Sequence, residues 1–222
     1  MAGRESGRRR GVRRMVLRSV SAPRWKHVSP ELRPVLERYP RLIELPDGTE
    51  VTLRPLVPKD EERLVQLFVD IPYEDLRNLH DNVSDPVIVR RWCRNISYDR
   101  VLPIVAELGG QIVADATLHR RAVGSMREVG KFRAYVRPEY RRRGIGAVLL
   151  KEILDLGRAL GLKQLAVELY QDQKELRKMF LRYGFRDEGL LPVYQRVILV
   201  REITGEDGES DDLATPDGAP PL

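Results

Sequence analysis

Between Phe132 and Ala147 the sequence changes its period. Strand-like residues Phe132–Val136 give way to the loop Arg137-Pro138-Glu139-Tyr140-Arg141-Arg142-Arg143, and Gly144 opens a helical pattern. This passage constrains the fold more than any other stretch. A helix N-terminus carries unpaired N–H groups and the positive end of the helix dipole. Glycines let that backbone approach a phosphate closely, and arginines add charge and forked donors. Together these parts predict a pyrophosphate site. A Walker-type loop would need a Lys-Ser/Thr pair after its second glycine, which the sequence lacks. A dinucleotide fingerprint would need a third glycine where Leu149 stands.

The flanking sequence alternates helix and strand periods. Residues 31–38 follow Pro30 as a short lead-in helix, and Leu45-Pro46-Asp47-Gly48-Thr49 reads as a turn. Val51–Arg54 alternates as a first strand. A helix opens at Pro58-Lys59-Asp60 with Leu64, Val65, Leu67 and Phe68 sharing a face, and shorter helices are expected over 73–80 and 86–95. Strands follow at 103–108, 111–118 and 128–136, the first two joined at Gly109-Gly110. From Gly144 to Leu160 the residues Ile145, Val148, Leu149, Ile153, Leu156 and Leu160 keep helical spacing, and Gly161 ends the run. A buried-type strand over 164–169, a helix over 173–183 and strands near 185–190 and 193–200 complete the pattern. The prediction is an α/β fold around a central mixed sheet.

With 222 residues and 42% hydrophobic content, the chain can build one good core. No run of about 18 apolar residues suggests a membrane span, and the Arg-rich start does not read as a secretory signal. The single cysteine, Cys93, excludes an internal disulfide and a multi-cysteine metal site. His27, His80 and His119 lie far apart, so no metal is expected and a cytoplasmic location is the simplest reading. The net charge of +6 is uneven. Residues 1–24 form a basic tail and residues 205–222 an acidic one, both expected to be disordered. The part between them is itself basic, which suits an anionic ligand. Two readings of residues 1–14 stay open: an arm for nucleic acid or an acidic membrane, or sequence upstream of a start at Met15.

At the basic loop the sequence resembles the GNAT acetyltransferases. Their cofactor signature, Arg/Gln-x-x-Gly-x-Gly/Ala between a fourth strand and a third helix, is matched by Arg141-Arg142-Arg143-Gly144-Ile145-Gly146. The segment Met179-Phe180-Leu181-Arg182-Tyr183-Gly184-Phe185 resembles the family's closing helix, and residues 47–56 resemble the opening strand of the bacterial protein-lysine acetyltransferase branch. The resemblance runs from about residue 45 to 200. It implies a GNAT domain over 47–204 after a lead-in segment, 25–46. It also implies a mixed, mostly antiparallel sheet, splayed between its fourth and fifth strands and flanked by helices.

The resemblance further implies acetyl-CoA as co-substrate and a primary amine, a protein lysine or a small amine, as acceptor. Arg141, Arg142, Arg143, Gly144, Ile145, Gly146 and Ala147 are expected at the pyrophosphate. The backbone of Ala134, Tyr135 and Val136 is expected at the pantetheine. A general base must take the amine proton. Lys131 stands where the protein-lysine branch has a Glu, so Glu128, Asp115 and Glu168 are the acidic candidates, and His119 is a further one. Alternation along the strand sets Glu128 on the face opposite Lys131. In many relatives a tyrosine protonates the leaving thiolate; its place is Phe180 here, and Tyr183 is the substitute candidate. Cys93 reads as a packed helix residue. The alternative to an enzyme is an acetyl-CoA-binding sensor with little transfer. Nucleic acid and membrane are not expected as partners, and a homodimer is compatible with the sequence.

Overall fold

A computed structural model of the protein describes residues 28–203, except His80 and Ala122. The two tails, His27 and His80 lie outside the described residues. Eight strands form one sheet: β1 (Arg41–Glu44), β2 (Glu50–Pro55), β3 (Val101–Leu108), β4 (Gln111–His119), β5 (Val129–Val136), β6 (Gln164–Tyr170), β7 (Arg186–Leu191) and β8 (Arg196–Glu202). Their order is β1-β2-β3-β4-β5-β6-β8-β7. Every neighbouring pair is antiparallel except β5 and β6, which run parallel. The helices are α1 (Arg33–Leu36), α2 (Glu61–Leu67), α3 (Tyr73–Leu76), α4 (Pro86–Arg94), α5 (Ile145–Ala159) and α6 (Lys174–Arg182).

The elements arise where the periods place them, with three differences, one being that the strand expected over 193–200 starts at Arg196, after a 3-10 turn at Pro192–Tyr194. The lead-in segment contributes β1 as well as α1, so the strand after the β4–β5 turn is the fifth, not the fourth. At four residues, with half-exposed Leu42 facing out, β1 is too short to declare itself by alternation. The helix expected over 73–80 is a single turn, α3. β3 and β4 are joined at Gly109 and Gly110, whose φ of +55° and +85° both fall in the left-handed region that such a two-residue turn requires.

Two cores lie on opposite faces of the sheet. On one, α5 buries Leu149, Leu150, Ile153 and Leu156 against Ala114, Ala116 and Leu118 of β4 and Phe132 of β5. Each such aliphatic side chain contributes about 1.5–3 kcal/mol of burial. Glu152 of α5 is buried too, accepting hydrogen bonds from Tyr39 Oη at 2.6 Å and Arg41 Nη1 at 2.5 Å, so the lead-in segment is tied to α5. On the other face, α2 and α4 bring Leu64, Phe68, Val89 and Cys93 over Val105, Ile112 and Tyr135. A bulge in β4, where Ala106 faces Ala114 but Glu107 faces Ile112, puts Ile112 on the same face as Asp115.

β5 and β6 pair only over Val129–Lys131 against Gln164–Ala166. Beyond that point the strands part. The chain needs α5 to cross between these parallel strands, and the opening forms above the start of that helix.

Candidate active site

The loop between β5 and α5 turns through a 3-10 turn at Pro138–Tyr140, then Arg142 at φ +59° and Gly144 at φ +87°. Gly144 is the N-cap of α5, and only a glycine fits well: its conformation is left-handed, and an added Cβ would stand 3.1 Å from Pro46 Cδ. The first amides of α5 have no carbonyl a turn earlier, the ordinary state of a helix start, and the positive end of its dipole adds to the charge of the arginines. Arg141 is tied down. Its Nε donates to Val136 O at 2.9 Å, its Nη2 to Asp75 at 2.6 Å, and its guanidinium lies 5.8 Å from the Tyr135 ring. Arg143 stands 5.9 Å over the Tyr140 ring and 3.9 Å from Asp47. Arg142 is exposed at the edge of the cleft.

The splay leaves the edge of β5 open. Arg137 N–H donates to Val113 O on the β4 side. Backbone groups alternate along a strand, so residues 133 and 135 face β4, whereas Phe132, Ala134 and Val136 turn their amides and carbonyls toward the gap. The Val136 carbonyl is taken by Arg141. Between the parted strands lies a cavity of about 560 Å³, bounded by Phe132–Val136 on one side and Val167–Leu169 on the other, with Gly146 and Arg142 at the helix end and Phe180 beneath.

A second cavity, about 450 Å³, lies on the α2–α4 face. Its floor is β4, where Asp115, Thr117 and His119 alternate with the buried Ala114, Ala116 and Leu118. Leu56, Leu64, Phe68, Trp92 and Ile96 give it apolar walls, and Asp81, Arg91 and Arg100 are polar members of the same lining. Arg133, Ala134 and Tyr135 border both cavities, so β5 is their common wall.

The three acidic candidates separate sharply in this setting. Asp115 faces Tyr135 across the β4–β5 ladder and opens into the apolar cavity. Its Oδ1 has no hydrogen-bond partner among the described residues, and burial pushes its pKa up to about 7. Glu168 borders the cleft but is paired with Lys131 Nζ at 2.6 Å and Arg196 Nη1 at 3.4 Å. Glu128 precedes β5, borders neither cavity and pairs with Lys163 at 3.2 Å. Tyr183 also misses the cleft: its side chain is buried in the α5-side core, where burial raises its phenol. Phe180 does border the cleft, its ring centroid 6.0 Å from that of Phe132. His119 lines the second cavity. Burial holds the Cys93 thiol up at about 12, where it is no nucleophile.

Sequence reasoning missed Arg133, Thr117 and Asp75. The first two carry a legible signal, a polar stripe at every second residue of otherwise small or apolar strands. Asp75 has none, since its partner Arg141 is distant in the chain. Among the described residues no group of three or more His, Cys, Asp or Glu could hold a metal ion, and no helix is long and apolar enough to cross a membrane.

The structure is similar to several solved ones. The GNAT domain of S. lividans PAT aligns with a TM-score of 0.66 at 20% identity, over 74% of this chain and 97% of that one. yncA of Salmonella typhimurium, a putative acetyltransferase solved with its cofactor acetyl-CoA, aligns with a TM-score of 0.58 at 15% identity, over 69% and 94%. Mycobacterium smegmatis RimJ, solved in complex with CoA-disulfide, gives 0.55 at 21%, over 73% and 86%. At these identities the likeness is one of fold. The sequence model of the acetyltransferase (GNAT) family matches residues 63–185, from α2 to the end of the Gly184-Phe185 pair. That match spans more than half of the chain and covers the splayed β5–β6 pair and the glycine-capped α5: the protein belongs to the GNAT acetyltransferase family.

Proposed function

We propose that the protein transfers an acetyl group from acetyl-CoA to a primary amine, with both substrates bound at once. One observation carries this reading: β5 is the shared wall of two cavities, one at the glycine-capped helix start and one holding an unpaired carboxylate.

The cleft fits acetyl-CoA. Arg142, Arg143 and the amides of Gly144, Ile145, Gly146 and Ala147 offer donors for the pyrophosphate. Arg141, held by Val136 O and Asp75, braces the loop. The open backbone edge at Ala134 and Val136, alongside Tyr135, offers strand-like pairing to the pantetheine. Micromolar binding needs about −8 kcal/mol and a helix dipole gives at most about 2, so direct amide and arginine bonds carry most of it. Bound acetyl-CoA supplies an acyl group activated as a thioester.

The protein's own part is to hold the amine and move its proton. A lysine-type ammonium has a pKa near 10.4, so neutralising it at pH 7 costs roughly 4.6 kcal/mol. Asp115, with a pKa of about 7, accepts that proton directly or through one water. The apolar surroundings of the carboxyl disfavour its charged form and so keep it a base near neutrality. The Ala134 N–H, turned to the gap, offers a hydrogen bond to an oxygen that gains charge there. Phe180 offers no proton, and a thiol of pKa near 8.5 leaves without one. Glu168, neutralised by Lys131 and Arg196, acts in orienting Lys131 and β5.

A second reading, binding without transfer, draws on Phe180 and the ion-paired Glu168. The unpaired Asp115 favours the first. Calorimetric titration of acetyl-CoA into wild type and into the Gly144→Glu, Gly146→Glu double variant tests the cleft. Micromolar binding lost in the variant supports it, and no binding by folded wild type overturns it. Turnover with any amine, lowered about 10²–10⁴-fold by Asp115→Asn, separates transferase from sensor.

A further inference from the structure

We infer that the acceptor is a small amine carrying an anionic group, seated in the α2–α4 cavity with its nitrogen toward Asp115 and its anion toward Arg133 and Arg100. This rests on the transferase reading above and names its acceptor.

The cavity floor is a ruler. Across β3, β4 and β5 the register sets Val105, Asp115 and Tyr135 in one row, and Pro103, Thr117 and Arg133 in the next. Val101, His119 and Lys131 form a third, in which Lys131 is paired with Glu168. Rows two residues apart on a strand are separated by about 7 Å. Asp115 therefore sits one row from Arg133 and two from the end where Arg100 precedes Val101.

Charge follows the same axis. Two carboxylates line the cavity: Asp115, in the row of the buried Tyr135, and Asp81, exposed at the rim. Arg91 and Arg100 are exposed at the mouth and Arg133 is half-buried between. Among the described residues, none of these three guanidinium groups makes an ion pair or hydrogen bond. Their neighbours do: Arg90 pairs with Glu62 and Arg94 with Glu61, on the same helix as Arg91. An unpaired, half-buried guanidinium is costly unless something anionic completes it. Burial holds Arg133 below its ordinary value despite the pull of Glu168 and Asp81 at longer range.

Size and shape agree. A volume of about 450 Å³ roofed by α2 and α4 holds a small molecule rather than a folded surface. The apolar walls suit a short methylene chain, and a diamine would set its second ammonium among three arginines against one carboxylate, Asp81. A lysine within a peptide brings no anion to that position.

Matched acceptors of one chain length test the inference: 5-aminopentanoate, pentylamine, 1,5-diaminopentane and a short lysine peptide, with 4-aminobutyl phosphate to sort carboxylate from phosphate. With wild type, one or both anionic amines should show a KM about tenfold below that of pentylamine, the effect of one charge-assisted hydrogen bond. Arg100→Gln, at an exposed position that should leave the fold intact, should erase that advantage while leaving pentylamine within about twofold, and Arg133→Gln should lower the ratio of anionic amine to pentylamine whatever it does to the rate common to both. Equal or better use of pentylamine, the diamine or the peptide overturns the inference, as does an equal loss for all acceptors in both variants. If acetyl-CoA binds but no amine is turned over, the transferase reading falls by itself. Calorimetry of 5-aminopentanoate into the CoA-loaded protein then decides the inference: saturable binding weakened by Arg100→Gln sustains it, and no binding overturns it.

Discussion

The two cavities that meet along β5 are built from different materials. The β5–β6 cleft takes its donors chiefly from backbone, an open strand edge and a helix start capped by a glycine at φ +87°, with arginines at its rim and Phe132, Leu169 and Phe180 among its lining. The α2–α4 cavity is built of side chains, standing on one regular face of β4 inside apolar walls. A site made of backbone tolerates side-chain change but not a change in chain path. A site made of side chains can be disabled by a single substitution. The comparison predicts that each side can be damaged without the other.

The largest effect should come from Asp115→Asn, which lowers kcat by about 10²–10⁴-fold, the usual worth of a general base. Acetyl-CoA affinity, measured by calorimetry, should stay within about twofold; an equal loss on both sides would break the comparison. The same variant should be more stable at neutral pH. At pH 3 wild type largely keeps its Asp115 proton whether folded or not. Above the ordinary value of 3.8 the unfolded chain loses that proton while the fold retains it, so stability is lost as pH rises, until the folded group ionises at about 7. Asp115→Asn removes this penalty, by up to about 4 kcal/mol above pH 7 and by almost nothing near pH 3, as chemical denaturation at the two pH values would reveal.

A smaller effect belongs to the pH profile. For wild type, kcat/KM should rise about tenfold between pH 6 and pH 8 as Asp115 ionises, and this limb should vanish in Asp115→Asn. On the cleft side, Gly144→Ala should cost about 1–2 kcal/mol in stability for its left-handed backbone and weaken acetyl-CoA binding severalfold, with acceptor KM little changed. The smallest effects sharpen the boundary of the site. Glu128→Gln and Tyr183→Phe, both outside the two cavities, should change kcat less than about twofold, and a larger loss from either would redraw that boundary.

Much of the fold was legible before any coordinates. The period changes locate β2 to β6 and α5 within a residue or two, and the loop Arg141–Gly146 announces a helix start able to receive phosphate. The acidic residues were not separable in the same way. In sequence, Asp115, Glu128 and Glu168 are alike: single carboxylates in strand-like stretches. Glu168 is neutralised by Lys131 and by Arg196, which arrive from two other strands. Glu128 is set aside because β5 begins one residue later and carries it to the end of the sheet. Asp115 alone meets an unpaired, desolvated setting, made by helices from a different part of the chain.

What the sequence determined by itself is what depends on near neighbours: the periods of strand and helix, the glycine that starts α5, and the charge and donors of its loop. These rest on dihedral preferences and amides a few residues apart. Tertiary structure alone decided how far β5 and β6 stay paired, which face of β4 turns to which cavity, and which carboxylate keeps a proton near neutrality. A pKa is set by the water and charges within a few ångströms, and those around Asp115 come from strands and helices far away in the chain.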